Sequence, residues 1–399
     1  MDLRRRLSQL DRLTRRASLV ETVSDPVDPA RIEDTMVSLG LEMRQTSAGP
    51  IWTSRMVDPV PVPERLPSFA GFFTHAGDAD PAPGDLFFLD AETTGLAGGT
   101  GTLAFLVGVS WWTRQHLETH QFFLSSPAQE AALLAVLSEL AQSFKVVVTF
   151  NGASFDLPLL RTRALMNRAS DPLGSLVSWD LLVPARRLWG RKLVNCRQQT
   201  LEESICGLSA RVGDIDGSRI PATWFEFLAG GEPGLLDRVL HHNHLDMLGM
   251  AHLFKDVAVR ASLIAQPERV AVSGLDWYEA WSLGRICERL KDVASSVIWL
   301  RRAVESITTS KTGISTFPDP RFLADAIRIL KRSGDWPLVE NLIVLGLGHS
   351  PSTEWLHREA AILFERRLVN LEKALAHARL CGEDGRVERL QRKLAEVSN

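Results

Sequence analysis

The region between Asp85 and Gly152 constrains the fold more than any other part of this 399-residue chain. It holds three short apolar runs separated by turn residues, which predict three consecutive antiparallel strands. An amphipathic stretch with a Ser-Pro start and Glu130 in its first turn then predicts a helix, and a fourth apolar run predicts another buried strand. This order predicts an α/β core on a mixed sheet. The strands are expected within 85–94, 102–112, 116–124 and 145–152, and the helix within 125–143.

The rest of the chain divides into two parts. Residues 1–84 begin with a basic stretch, 1–20, in which leucines recur at helical spacing among arginines, and continue into a Pro- and Asp-rich segment expected to be irregular. The basic stretch predicts either a solvated helix or an arm that binds phosphate or a partner. Residues 268–399 contain three amphipathic helix pairs, which predict an all-α helical-repeat domain. The expected domains are therefore 1–84, 85–262 and 268–399.

Composition excludes several classes of protein. Hydrophobic residues make up 45% and charged residues 23% of the chain, which is ordinary for a folded domain and argues against disorder. The four cysteines form no CxxC pair, so we expect no zinc knuckle and a reducing, cytoplasmic location. The sequence has no apolar run of about 18 residues and no secretory signal, so no membrane partner is expected. The net charge of −3 means that any nucleic-acid surface must be local.

Two carboxylates, Asp90 and Glu92, end the first predicted strand. Alternate residues of a strand leave the same face, so both side chains lie together. Two close carboxylates on an apolar strand repel each other and lose hydration. A divalent cation that prefers oxygen ligands, such as Mg²⁺ or Mn²⁺, removes that cost. The pair therefore predicts a metal site, and the alternative is one carboxylate that caps the next turn and one that is solvated.

Two further acids stand later in the chain. Asp156 follows an Asn-Gly turn at the start of a predicted helix, where an N-cap aspartate is an equally good interpretation. Asp246 has apolar neighbours that predict partial burial, in a segment that forms either two helices or one helix broken near His241. On a continuous helix, His242 lies on the same face as Asp246. A histidine beside a bound cation can act as general base, and a surface histidine run without a role is the alternative.

The order and surroundings of these four acids resemble the DEDD exonucleases of the RNase H-like superfamily. The stretches DAETTGL and NGASFDLPLL resemble the first two motifs, and His-Asn-x-x-Asp, ending at Asp246, resembles the third. The stretches SRIPATWFEFLAGG and HHNHLDM look most like the bacterial YprB-like nucleases, which also carry tetratricopeptide-like helices. The resemblance covers about residues 85–255 and implies an α/β RNase H-like domain, a mixed sheet flanked by helices, followed by an all-α helical-repeat domain.

The resemblance also implies a reaction. It implies a two-metal nuclease that hydrolyses phosphodiester bonds, a 3′→5′ exonuclease acting on single-stranded DNA or RNA. Two divalent cations, Mg²⁺ or Mn²⁺, would be held by the four acids. The fifth catalytic residue stands four or five positions before the last acid in different subclasses, which matches His242 or His241, and His242 is preferred because asparagine follows it. The implied catalytic residues are Asp90, Glu92, Asp156, His242 and Asp246, and the implied metal ligands are Asp90, Glu92, Asp156 and Asp246.

Nucleic-acid contacts are expected beside the motifs and in a basic stretch after the second one. Residues 158–199 hold eight Arg and Lys and two acids, and such cations can neutralise phosphates. Solvated helix faces are the alternative, and Trp189 is expected to be a core anchor rather than a stacking platform. The predicted contacts are Thr93, Asn151, Phe155, Arg161, Arg187, Arg191 and Lys192.

Two other functions stay open at this point. The RNase H-like fold could be a non-catalytic scaffold whose C-terminal helices recruit a protein partner. The same site could also belong to a structure-specific endonuclease. The presence of all four acids favours a catalyst over a scaffold.

Overall fold

The computed structural model divides into two compact units. Unit 1 comprises Met1–Arg186 and Leu193–Ser262, and unit 2 comprises Arg187–Lys192 and Leu263–Asn399. The predicted basic helix over 1–20 lies outside the described residues. The residues described are 29–74, 80–95, 101–230, 233–264, 275–309 and 319–398.

Unit 1 is built on one seven-stranded mixed sheet. Its strands are β1 (Glu42–Thr46), β2 (Gly49–Asp58), β3 (Leu86–Thr93), β4 (Ala104–Thr113), β5 (His116–Phe123), β6 (Val146–Thr149) and β7 (Val177–Asp180). Their order across the sheet is β1-β2-β5-β4-β3-β6-β7. The first five strands pair antiparallel, whereas β6 and β7 extend the sheet from β3 in parallel. The prediction of three consecutive antiparallel strands on a mixed sheet is confirmed.

The buried centre of the sheet explains where its chemistry begins. In β3 the side chains from Leu86 to Leu89 are fully buried, and all four residues of β6 are buried beside them. Strands covered on both faces require such continuous apolar runs. The burial of β3 changes at Asp90, from which point its residues are only partly covered. Polar side chains therefore enter the sheet at the carboxyl end of β3.

The prediction of an irregular lead-in over 21–84 is wrong for residues 29–58. Helix α1 (Pro29–Ser38) precedes β1 and β2, and this hairpin pairs with the free edge of β5. Trp52 is buried, and its Nε1 donates to Ser125 Oγ at 3.2 Å. The densest run of prolines in this region, over 59–67, begins directly after β2 ends. They therefore end the hairpin rather than prevent it.

Helices flank the sheet of unit 1. The segment expected to be two helices or one helix broken near His241 is a single continuous helix, α7 (Leu236–Ile264). Because that helix is unbroken, residues four apart along it share a face. The other helices are α2 (Glu130–Ala141), α3 (Asp156–Met166), α4 (Leu182–Leu188), α5 (Gln198–Ser204) and α6 (Ile220–Gly230).

The described residues of unit 2 form helices joined by turns, and the three predicted helix pairs are present. They are α8 (Trp277–Arg289) with α9 (Val293–Thr309), α10 (Pro320–Ser333) with α11 (Trp336–His349), and α12 (Glu354–Arg366) with α13 (Leu371–Leu380); α14 (Asp384–Ser398) follows. Trp281 and Trp299 are fully buried core residues. The tetratricopeptide-like character of these helices stays a prediction. Among the helices that the structure describes, none is long and apolar enough to cross a bilayer.

Unit 2 also contains a short piece from the middle of the unit 1 sequence, residues 187–192. Trp189 is fully buried there, as predicted for a core anchor, and its Nε1 donates to the Glu279 carboxylate at 2.8 Å. Ser282 Oγ donates to the Leu188 carbonyl at 2.8 Å. Each compact unit is therefore built from two separate segments of the chain. The domain boundaries 85–262 and 268–399 stay predictions.

Candidate active site

Side chains from β3 and α7 meet at the carboxyl end of β3. His242 Nε2 lies 3.3 Å from Asp246 Oδ2 and 4.0 Å from Glu92 Oε1. One ligand atom from each of these three residues lies within 4.8 Å of the other two. The predicted alternative, His241, is exposed on the same helix. Glu92, His242 and Asp246 therefore form a candidate metal centre.

Asp90 is fixed beside this centre by a chain of buried amides. Asn243 is fully buried in α7, and its Nδ2 donates to Asp90 Oδ2 at 3.0 Å. Its Oδ1 accepts a hydrogen bond from Gln121 Nε2 at 3.0 Å, and Ser54 Oγ donates to Gln121 Oε1 at 3.0 Å. Strands β2 and β5 thus orient Asp90 through the helix that carries His242.

Asp156 is the first residue of α3 and is buried. The N-cap position belongs to Phe155, and no side chain caps this end of the helix. The N-cap interpretation of Asp156 is therefore wrong. Gly152 leaves room for the Asp156 carboxylate, because a Cβ at position 152 would lie 2.7 Å from Asp156 Oδ2.

Asp180, at the end of β7, holds the loop that leads to Asp156. Its Oδ1 accepts from the Asn151 N–H at 2.8 Å and from the Leu182 N–H at 2.9 Å, and its Oδ2 accepts from the Ala153 N–H at 3.3 Å. Asn151 has a φ of +65°, which asparagine tolerates better than most residues. Asp180 thus has a structural role in a turn with an uncommon backbone conformation.

Burial and repulsion raise the pKa of three carboxyl groups. Burial raises the pKa of Asp90 well above its usual range, and the charges of Asp246, Glu92 and Asp156 raise it further. Burial raises the pKa of Glu92 to about 7, opposed by His242 and assisted by neighbouring acids. Burial likewise raises the pKa of Asp156 to about 7. A divalent cation relieves this repulsion, and the carboxylate oxygens of the site fit Mg²⁺ or Mn²⁺, which prefer oxygen ligands.

Two charged residues outside the predicted motifs contact the third motif. Arg211 Nη1 lies 2.7 Å from Asp246 Oδ1. Both carboxylate oxygens of Asp214 lie 2.8 Å from His242 Nδ1. Sequence reasoning missed both, because they stand in a polar loop far from the acids and match no spacing rule. Asn243 belongs to the third motif, but the motif does not indicate its bond to Asp90, which requires α7 to lie against β3.

The predicted nucleic-acid contacts divide between the two units. Thr93, Asn151, Phe155 and Arg161 belong to unit 1, and the remaining three belong to unit 2. Phe155 is 56% exposed beside Asp156. Asn151 and Arg161 line a cleft at the same loop together with Ser154. Arg161 Nε also donates to Asp171 at 2.8 Å, and Thr93 Oγ1 donates to the Gly95 carbonyl at 3.0 Å.

The three predicted contacts in unit 2 are Arg187, Arg191 and Lys192, of which Arg187 is partly buried. Two of them have clear partners inside that unit. The Arg191 guanidinium lies 4.9 Å from the centroid of the Trp281 ring, and Lys192 forms an ion pair with Asp276. Their contact with nucleic acid stays a prediction.

The comparisons with known proteins concern the fold of this region. Residues 87–258 match the RNase_H_2 model of the RNase_H superfamily. The chain is 38% identical over 172 residues to "Uncharacterized protein YprB" of Bacillus subtilis (strain 168), a match over 43% of this chain and 41% of that protein. The structure of the family B DNA polymerase from the hyperthermophilic archaeon Pyrobaculum calidifontis aligns with 60% of this chain and 34% of its own, at 13% identity and a TM-score of 0.36. The family match and the mixed sheet together identify an RNase H-like domain in unit 1.

Proposed function

We propose that unit 1 is a metal-dependent nuclease, a 3′→5′ exonuclease of the DEDD type that hydrolyses phosphodiester bonds in single-stranded DNA or RNA. The observation that carries the proposal is the convergence of Glu92, His242 and Asp246, with Asp90 beside them, in an RNase H-like domain. Two Mg²⁺ or Mn²⁺ ions would be held by Asp90, Glu92, Asp156 and Asp246. Bound there, such ions supply charge stabilisation to a phosphodiester substrate.

The side chains of this chain have separate tasks in the proposed reaction. His242 presents Nε2 to the centre and takes a proton from the attacking water. Asn243 keeps the Asp90 carboxylate facing the centre through its bond to Oδ2. Phe155, exposed beside Asp156, stacks on a base at the strand end. Arg161, in the cleft beside it, contacts a phosphate. A protein partner bound through the helices of unit 2 is part of the same proposal.

The test is a gel time course with 5′-labelled single-stranded DNA and RNA of equal sequence, in Mg²⁺, Mn²⁺ or EDTA. Asp90→Asn removes one carboxylate of the site, and Asp216→Asn is the matched control at an exposed position. We expect a metal-dependent ladder that shortens from the 3′ end, is lost in Asp90→Asn and is unchanged in Asp216→Asn. Internal cuts would instead indicate an endonuclease. No cleavage in any metal would favour the scaffold function.

A further inference from the structure

A tight turn between α5 and α6 directs two charged side chains towards the candidate metal centre. The Asp214 N–H donates to the Arg211 carbonyl at 3.3 Å, and Gly213 has a φ of +79°. A four-residue turn with positive φ at its third position favours glycine there. Val212, at the tip, is 96% exposed, whereas the side chains of Arg211 and Asp214 are 7% and 8% exposed. The turn therefore buries the charged side chains of Arg211 and Asp214 and exposes the apolar side chain of Val212. Charged residues are usually exposed and apolar residues buried.

Asp214 holds the imidazole of His242. An ionised carboxylate only accepts hydrogen bonds, so the 2.8 Å contacts of both Asp214 oxygens with His242 Nδ1 favour the tautomer that carries its proton on Nδ1. The other nitrogen, Nε2, then faces Asp246 and Glu92 with its lone pair when the ring is neutral. The Ile215 N–H donates to Asp214 Oδ1 at 2.8 Å and fixes the carboxylate in turn.

Arg211 holds the other residue of the third motif. Its Nη1 lies against Asp246 Oδ1, on the side away from His242, which contacts Oδ2. Its Nε and Nη2 donate to the buried carboxylate of Glu202 at 2.8 Å and 2.6 Å. Gly249, one turn after Asp246 in α7, leaves space for this pair, because a Cβ there would lie 1.7 Å from Glu202 Oε1.

We propose that Arg211 and Asp214 are the positioning residues of the candidate metal centre. Asp214 fixes the orientation and tautomer of His242, and Arg211 fixes the carboxylate of Asp246. Both act through another residue, and one short turn thus sets the side chains of His242 and Asp246. The inference rests on the nuclease function proposed above. Removing such an outer partner typically costs 10- to 100-fold in activity or metal affinity, about the loss expected here.

The activity test uses Asp214→Asn, with Asp216→Asn as the matched exposed control. We expect kcat to fall by about 10- to 100-fold, with the KM for the oligonucleotide unchanged. Asp214→Glu keeps a carboxylate on a side chain that is one methylene longer, so we expect its kcat to lie between those of Asp214→Asn and the wild type. Because Asp214 acts through His242, adding Asp214→Asn to His242→Ala produces no further loss. A wild-type kcat in Asp214→Asn, or additive losses in the double variant, would overturn the proposal.

A second measurement does not depend on activity. Long-range ¹H–¹⁵N spectra of the metal-free protein, recorded as the pH is raised until the His242 ring is neutral, report which imidazole nitrogen carries the proton, and His242→Gln assigns the signal. We expect the Nδ1–H form in the wild type and a mixture of tautomers in Asp214→Asn. If the wild type cleaves no oligonucleotide, the nuclease function fails and the spectrum still decides the positioning role. An Nε2–H form in the wild type, or an identical spectrum in Asp214→Asn, contradicts that role.

Discussion

Three glycines stand where any side chain would displace a residue of the site. Gly108 pairs with Asp90 across β3 and β4, and a Cβ on it would lie 2.2 Å from Asn243 Oδ1. Gly152 leaves the same kind of space for the carboxylate of Asp156. Gly249 leaves it for the carboxylate of Glu202, the partner of Arg211. A close-packed interior cannot absorb an added methyl at such distances without moving a neighbour. These positions therefore control the site without contacting a substrate.

Gly108→Ala tests this at one position. The added methyl pushes Asn243 away from Asp90, so we expect the free energy of unfolding to fall by about 1–3 kcal/mol and nuclease activity to fall with it. Differential scanning fluorimetry and the gel assay measure the two effects. Gly84→Ala is the control, because nothing lies within 4 Å of a Cβ there. Full activity in Gly108→Ala would mean that the Asn243 bond does not orient Asp90.

Asp90→Asn tests the charge repulsion in the site. The pKa of Asp90 is raised because its ionised form is buried among other carboxylates, so ionisation at neutral pH destabilises the metal-free fold. The amide keeps a hydrogen-bond acceptor for Asn243 without that charge. We expect a higher melting temperature for metal-free Asp90→Asn than for the metal-free wild type. We also expect Mg²⁺ to raise the melting temperature of the wild type and to have little effect on the variant. Equal Mg²⁺ responses in the two proteins would contradict a shared metal site.

The acids were predictable from the sequence because charged residues at the end of an apolar strand are costly without a ligand. Their partners were not, because Asn243, Arg211 and Asp214 are ordinary polar residues until the fold brings them within hydrogen-bond distance. His242 was distinguishable from His241 only by the motif, and the continuity of α7 brings His242 Nε2 to 3.3 Å from Asp246. Local sequence patterns thus indicated the acids, and only long-range packing could show how they are oriented.

At the scale of elements, the β1–β2 hairpin is the main addition that sequence patterns missed. Apolar and polar residues alternate little along its two strands. The proline-rich stretch that follows them led us to expect irregular structure for the whole region. Yet β2 covers the edge of β5, the strand that contributes Gln121 to the amide chain behind Asp90. An uncovered strand edge is also a site for unwanted pairing. The hairpin therefore belongs to the same sheet as the candidate site, although it precedes the matched residues 87–258.

Trp52→Ala tests the place of this hairpin in the core. Trp52 is 4% exposed and its indole contacts Ser125, so truncation is expected to lower the free energy of unfolding by about 3–5 kcal/mol. Met43→Ala, on β1 and 44% exposed, is expected to change it by less than about 0.5 kcal/mol. Urea unfolding followed by tryptophan fluorescence and circular dichroism measures both. Similar small effects from the two variants would mean that the hairpin is peripheral.

At the scale of the whole molecule, the chain does not pass once from one unit to the next. It leaves unit 1 after Arg186, contributes six residues to unit 2 and returns at Leu193. The sequence suggested a single boundary near residue 262. An amphipathic pattern indicates that a segment is helical, but it does not indicate which other helix the segment packs against. Trp189 shows the consequence, since this indole, predicted only to be a core anchor, is buried in unit 2.

Trp189→Phe tests which unit depends on this residue. Phenylalanine keeps the apolar ring but removes the N–H that donates to the buried Glu279 carboxylate, a loss of about 2 kcal/mol for a bond to a charged group. Native-state hydrogen exchange followed by mass spectrometry is expected to speed up in α8, the helix of Glu279, and to stay unchanged in β3 and β4.

Trp224→Phe is the reciprocal control for that measurement. The Trp224 indole donates to the Leu124 carbonyl at 2.8 Å inside unit 1, so its loss is expected to speed exchange beside β5 and to leave α8 unchanged. Both variants delete one buried indole hydrogen bond, so the two perturbations are of similar size. A difference between their exchange maps therefore shows which unit each tryptophan stabilises. Faster exchange in β3 and β4 on Trp189→Phe, with α8 unaffected, would return residues 187–192 to unit 1 and restore a single boundary after residue 262.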